Sequence, residues 1–293
     1  MNTLLQQLIN GVDTGSQYAL WAVGYGLVYQ VLGLMHFAHG DTLLLGMYIG
    51  FAFVVTLTLP LPIALALTVL VAAVLASLVE RTVYAPLVRR NQNVSAFIAA
   101  LGAAYILRNI DTLGWGQGVQ VFPRVLPSGA ISVGSFTFNT GPMIDLATAL
   151  VVVALFVCFL RFTKHGQAVV ALAQDRETAS LMGIPVGRLI TGIYALSGAI
   201  GVVGAFLYFN EFGLIQSTDG FFITLKAFVA AMIGGIGRIE GAVLGGLLLG
   251  VTEAMLIQYV SSQYTDALEF ALLAIILVVR PTGFFGRREV VKL

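Results

Sequence analysis

The sequence predicts an all-α, polytopic transmembrane helix bundle of eight or nine spans with one short cytoplasmic helix. Three observations predict it. Of 293 residues, 58% are hydrophobic and 10% charged, whereas water-soluble domains carry about 25% charged residues. The apolar runs approach ~20 residues, the length at which a helix crosses a bilayer. They also lack the period-two alternation of an outer-membrane barrel strand. One membrane domain over residues 1–293 is the expected organisation. A formal net charge of +1 gives no footing for a nucleic-acid partner. The single cysteine, Cys158, lies in an apolar run and leaves no internal disulfide or cysteine metal cluster to build.

In chain order, Met1 to Thr14 is mildly amphipathic and either lies on the membrane surface or begins the first span. It has no Lys or Arg to form the basic start of a cleaved signal peptide. Spans are expected at 15–34, 41–59, 62–80, 94–113, 142–160, 189–209, 222–236, 241–260 and 267–279. An odd number puts the termini on opposite sides. With the C-terminus in the cytoplasm, Arg81, Arg89, Arg90, Arg161, Lys164, Arg176, Arg188, Arg238, Arg280, Arg287, Arg288 and Lys292 become cytoplasmic and only Arg124 lies outside, as the positive-inside rule demands. The N-terminus is then periplasmic. Residues 35–40 and 234–240 are short and rich in Gly or His, so either is a loop or a helix break inside the membrane, which is where the count of eight or nine arises. The connection 114–141 alternates Val, Phe and Ser between Gly and Pro, which suggests an outer cap with a small hairpin. Such a cap meets a substrate-delivery protein or closes the bundle.

The stretch Arg161 to Arg188 mixes both signs of charge between two apolar runs. Asp175 is placed to cap a helix, Glu177 puts negative charge in its first turn, and Gly183 followed by Pro185 stops it. The helical body is expected over Arg176 to Met182. At 1.5 Å per residue it is about 10 Å long, and helices shorter than ~12 residues are marginal in water unless packed on a neighbour.

Glu177, Ala179 and Gly183 form the pattern E-x-A-x-x-x-G, which resembles the coupling-helix motif that ABC-importer permeases present to their ATPases. The downstream Ile-x-Leu-Pro of that motif is half present, as Ile193, Ala195 and Leu196. Phe37-Ala-His-Gly-Asp41, the run Leu225 to Gly250, and Arg280-Pro-Thr-Gly283 are similar, in the same order, to the LivH-type permeases of branched-chain amino acid importers. The resemblance implies a bacterial inner-membrane permease that carries branched-chain or related amino acids, or small amides. It implies a second, related permease subunit forming a heterodimer, two cytoplasmic ATPase subunits that use ATP and Mg, and a periplasmic binding protein that selects the substrate. Asp175, Arg176, Glu177, Ala179, Met182 and Gly183 would make the contact with an ATPase.

Small residues let helices approach closely in lipid. Gly237, Gly241 and Gly245 recur at four-residue spacing, Gly246 and Gly250 repeat it, and Gly198, Gly201 and Gly204 follow a tighter one. The spacing fits packing within one bundle, or a subunit interface or hinge. Ionisable residues within spans default to functional candidates for a translocation pathway: Glu253, Lys226, Arg108 and Asp111. Against that, Arg108 and Asp111 are three apart and can pair locally, Lys226 can snorkel outward, and Glu253 can make a structural hydrogen bond. His36, His39 and Asp41 fall short of a zinc ligand set, so no metal is expected; Asp41 reads as a cap of the second span and the imidazoles as partners for backbone freed at a helix break.

A phosphate loop of the form G-x-x-x-x-G-K-[ST] is missing, since Lys164, Lys226 and Lys292 do not follow glycine. Nor is there a G-x-S-x-G elbow or an HExxH motif. The expected class is a transport subunit without its own ATPase site. The alternative is a self-contained secondary transporter or channel with Glu253 as an ion relay.

Overall fold

In a computed structural model, residues 2–88, 90, 92–126, 129–133, 136–235, 237–280 and 282–285 are described. Arg89, Arg287, Arg288 and Lys292 of the charge pattern, with Ile236 and Pro281, lie outside them. The elements in order are α1 Asn2–Leu32, α2 His39–Phe51 extended by a π-helical turn at Ala52–Thr56, and α3 Leu61–Val79. A second π turn, Glu80–Tyr84, leads to α4 Ala85–Val88 and α5 Asn93–Trp115. Strands β1 Gln120–Val121, β2 Ala130–Val133 and β3 Phe136–Asn139 precede α6 Thr140–Phe162, α7 Lys164–Gln174 and α8 Arg176–Leu181. The chain then forms α9 Val186–Phe212, β4 Leu214–Ile215, α10 Asp219–Gly234, α11 Ile239–Tyr259 and α12 Thr265–Val279.

Among the described residues, six segments are long and apolar enough to cross a membrane: His39–Thr56, Leu61–Val88, Val94–Trp115, Thr140–Phe162, Val186–Phe212 and Ile239–Tyr259. The count of eight or nine also needs α1, α10 and α12, which do not meet that length and hydropathy. For α1 the physical reason lies in its position. It packs against α6, α9, α10 and α11, and its Tyr18, Trp21 and Tyr25 are buried in the core. A helix sheathed by other helices does not face lipid and can keep polar residues such as Gln17. The segment Met1 to Thr14 is helical from Asn2 onward and continuous with the first span, so it is not a separate surface segment.

The bundle has two distinguishable ends. At one, β1 pairs antiparallel with β4, and β2 pairs with β3 in a hairpin before α6. At the other, α6 runs into α7 and α8, and the amides of Phe284 and Phe285 donate to the carbonyls of Ile233 and Gly234 at the end of α10 (2.9 and 3.1 Å).

Between α1 and α2 the chain breaks inside the bundle. Gly33 has φ +65° and turns it back, and His36, Ala38 and His39 are all buried. α2 starts alongside the middle of α9, with Leu43 against Gly201. Backbone freed at such a break must find partners away from water. Thr224 provides one: its hydroxyl accepts from the Gly40 amide at 2.8 Å and approaches the Phe37 carbonyl at 3.3 Å. His36 instead hydrogen-bonds the Tyr84 hydroxyl at 2.7 Å, so this imidazole bridges to a side chain and not to freed backbone. The 234–240 connection differs. Gly235 (φ +100°) and Gly237 (φ +88°) form a turn between the antiparallel α10 and α11.

The residue pattern between Arg161 and Arg188 predicts one helix, and the structure has two. α7 is capped by Thr163, whose hydroxyl accepts from the Gly166 amide at 2.9 Å. It buries Gly166, Val169 and Leu172, a three-residue spacing that puts one face on the bundle.

Candidate functional site

α8 is held by local chemistry at both ends. Asp175 Oδ1 accepts from the amides of Glu177 (2.9 Å) and Thr178 (3.0 Å), and Oδ2 accepts from the Thr178 hydroxyl (2.7 Å). Hydrogen bonds from the Thr178 hydroxyl and amide, then from the Glu177 amide, hold the Asp175 carboxyl below its ordinary range. At the other end, Gly183 has φ +80°, its amide donates to the Ser180 carbonyl (3.0 Å), and the Ile184 amide donates to the Ala179 carbonyl (3.1 Å). This pair of bonds is a Schellman closure. The helix is one residue shorter than the expected Arg176 to Met182, because Met182 already occupies the C-cap.

Ala179 is the buried residue of α8, while Leu181 and Met182 are 83% and 79% exposed. Arg176 and Glu177 are exposed beside them, and Arg176 lines a small cavity with Glu80 and Tyr84 from the second π turn. α8 contacts α7 and α9, and α7 contacts α1. A force on α8 therefore has a packed route into the centre of the bundle.

The buried charges sort into clusters that sequence spacing did not reveal. Arg108 does not pair with Asp111. Its guanidinium reaches across to α2 and donates to Asp41 at 3.0 and 3.1 Å. Asp41 correspondingly is not the cap of α2, a position that Ala38 takes without a side-chain bond. Asp111 is 0% exposed, and neither carboxylate oxygen has a hydrogen-bond partner among the described residues. Lys226 does not snorkel. Its ammonium lies 2.7 Å from Glu253 Oε1 and 3.4 Å from Glu269 Oε2, over the Tyr18 ring, so α10, α11 and α12 meet at one cation. A third cluster joins α1 to α6, where Gln17 donates to Asp145 at 2.8 Å beside buried Asp13. Asp13, Asp145 and Glu269 were missed although the sequence signals them. Asp145 and Glu269 lie inside the expected spans 142–160 and 267–279, and Asp13 lies two residues before the first. Among the described residues, no group of three or more His, Cys, Asp or Glu is arranged to hold a metal ion.

Seven of the eight glycines singled out approach helices of the same chain. A Cβ on Gly241 or Gly245 would strike the backbone of α10 at Gly234 or Ala230, and one on Gly246 or Gly250 would strike α1 at Ala19 or Gly15. Gly198, Gly201 and Gly204 face Ala72 of α3, Leu43 of α2 and Gln17 of α1. α11 thus presents two glycine faces to two neighbours. Gly237 is the exception, since it sits in the turn at positive φ rather than in a helix contact.

Comparison with known proteins gives a consistent result. A family model described as branched-chain amino acid transport system / permease component matches residues 7–277. The chain is 36% identical to the high-affinity branched-chain amino acid transport system permease protein LivH of Salmonella typhimurium, over 98% of this chain and 97% of that protein. Identity to LivH of Escherichia coli strain K12 is also 36% with the same coverage. The corresponding protein BraD of Pseudomonas aeruginosa is 35% identical, again over 98% and 97%. No solved structure matches the chain.

Proposed function

Because the chain belongs to the family of branched-chain amino acid transport permease components, we propose that it is the membrane-spanning subunit of an ATP-driven importer that translocates branched-chain or related amino acids, or small amides. It is a transport subunit and not an enzyme. ATP and Mg are used by two separate ATPase subunits, a periplasmic binding protein delivers the substrate, and a second, related permease completes the membrane part. Residues 1–293 act as one membrane domain. The α8 end faces the cytoplasm, the hairpin end and the N-terminus face the periplasm, and α1, α10 and α12 join the six apolar segments in the bilayer.

The observation that carries this reading is the doubly capped α8 with Leu181 and Met182 exposed at its tip. Exposed apolar side chains on a short rigid helix suit a groove in a partner. In this reading Asp175, Arg176, Glu177, Ala179, Met182 and Gly183 form the coupling contact, and closure of the ATPases pushes α8 and reorients the bundle. Shifting such an equilibrium from 1:99 to 99:1 takes about 5.5 kcal/mol of differential binding. Of the pathway candidates we retain Arg108 and Asp111. The Arg108 side chain is 21% exposed and lies near the exposed rings of Tyr105 and Phe221, and a guanidinium within a membrane span is expected to face protein or water and not lipid tails. Lys226 and Glu253 are mutually paired and serve to hold helices together. With Glu253 assigned to this structural pair, we prefer the importer reading, which the family supports, to a self-contained transporter relaying ions through Glu253.

The test is purification of the chain with its ATPase subunits and reconstitution in vesicles. ATP turnover is expected to rise on adding a loaded binding protein, and the chain alone is expected to hydrolyse none. Substrate accumulation without any ATPase subunit would overturn the assignment.

A further inference from the structure

A groove of about 650 Å³ lies between α3, α6, α7 and α9, within the range of clefts that hold small ligands (about 300–1,000 Å³). Its walls are apolar, with Phe159 from α6, Val169 from α7, and Leu189 and Leu196 from α9. It exists because the sequence puts small residues on its floor. Ala73, Gly192, Ala195 and Ala199 line it, and a Cβ on Gly192 would meet nothing within 4 Å.

The polarity of the groove runs one way. Its polar ionisable side chains, His165 and Arg188, are both exposed and lie in the α7 and early α9 segments, at the α8 end. Arg188 lies in the first turn of α9 and His165 in the first turn of α7, while the floor continues along α9 to Ala199 about three turns further on. A long apolar channel with cationic and hydrogen-bonding groups at one mouth is complementary to an amphiphile with an anionic head. Basic pockets between membrane helices recognise anionic headgroups in this way. A soluble peptide or a helix of another protein would leave the asymmetry unexplained, since neither needs charge at one end only.

We propose that this groove holds an acyl chain of an anionic phospholipid, with its phosphate on Arg188 and His165. The occupant lies along α9 beside α7, the helix that leads into α8. The inference rests on the chain lying in a membrane and not on the importer reading, so it stands or fails separately from the coupling role of α8.

The experiment is native mass spectrometry of the protein purified in mild detergent with the subunits that accompany it, after exchange into mixed micelles of phosphatidylglycerol and phosphatidylcholine. Wild-type protein is expected to retain one phosphatidylglycerol in preference to phosphatidylcholine. Arg188→Gln keeps the groove open, and is expected to reduce that preference about 5-fold, the factor equivalent to about 1 kcal/mol for one basic residue near the headgroups. Gly192→Phe fills the groove from a position with free space, and is expected to abolish retention of either lipid. Gly192→Ala, which leaves most of the groove open, is expected to retain it. Equal retention of both lipids by wild type and Arg188→Gln would overturn the headgroup assignment. Undiminished retention in Gly192→Phe would overturn the groove as the site. Cross-linking of a cysteine placed at Ala199 to another subunit, with no lipid bound, would give the groove to a protein partner and end the proposal.

Discussion

The ammonium of Lys226 lies 2.7 Å from the carboxylate of Glu253, and a second carboxylate, Glu269, lies 3.4 Å away on another helix. Three helices that diverge in sequence are joined at this cation. In a medium of low dielectric a lone charge is costly, and a paired one is tolerable only while its partners stay in place.

The cluster predicts unequal effects of substitution. Lys226→Met leaves two buried carboxylates without their shared cation and is expected to destabilise the bundle by about 3–5 kcal/mol. Glu253→Gln keeps a hydrogen-bond acceptor for Lys226 and leaves the Glu269 pair intact, so its cost is expected to be well under half of that. Thermal unfolding in detergent reads the difference. Equal midpoints for the two variants would show that Lys226 is not the centre of the cluster.

A parallel expectation applies to Arg108 and Asp41. Arg108→Met strands a carboxylate that is 1% exposed, and is expected to lower folded yield severely. Arg108→Met combined with Asp41→Asn removes both charges and is expected to recover most of the loss. A double variant as unstable as the sum of the singles would mean that the two residues act independently.

Gly183→Val places a β-branched residue at φ +80°, a conformation that costs such residues roughly 1–2 kcal/mol. Open space around the position makes the penalty one of backbone and not of collision. The helix end is expected to unwind, raising the ATP consumed per substrate imported in vesicles, with insertion and binding-protein contact unchanged. An unaltered ratio with full ATPase retention would reduce α8 to a structural closure.

Asp175 carries a pH signature. Its carboxyl is depressed by the bonds it accepts, so its contribution to α8 is fully present above the ordinary Asp value of about 3.9 and is lost as pH falls through the lower folded value. Hydrogen exchange of the Glu177 and Thr178 amides is expected to be slow at neutral pH and to lose its protection in Asp175→Ala. Asp175→Asn, which still accepts a hydrogen bond, is expected to retain much of it. Identical exchange in the Ala variant would remove the cap from the account of this helix.

Gly245 of α11 and Gly192 of α9 offer a contrast. A Cβ on Gly245 runs into the Ala230 carbonyl, whereas one on Gly192 meets nothing. Gly245→Leu is expected to prevent assembly of a stable bundle and Gly192→Leu to leave the melting temperature nearly unchanged, as measured on detergent-purified protein.

What the sequence determined by itself was confined to features set by near neighbours along the chain, and not all of those, since α7 with its local Thr163 cap was not anticipated. The membrane class follows from run length and composition, and the caps of α8 follow from Asp175 and Gly183, whose bonds close within five residues. A break before α2 was one of two readings the sequence left open, because Gly and His interrupt an apolar pattern there as Gly does at 234–240, where the chain makes a turn. Only the tertiary structure decided the charge partners. Asp41 and Arg108 are 67 residues apart in sequence, and Lys226 and Glu253 are 27 apart, so no spacing rule joins them, and the local i, i+3 geometry of Arg108 with Asp111 pointed to the wrong partner. The same holds for the glycines. Their spacing says that helices come close, but which helix faces Gly245 and which faces Gly246 depends on how α10 and α1 are placed around α11. The long α1, with polar residues such as Gln17, failed a hydropathy count for a related reason: a helix enclosed by protein is freed from the demand for lipid-compatible side chains, and enclosure is a property of the bundle and not of the segment.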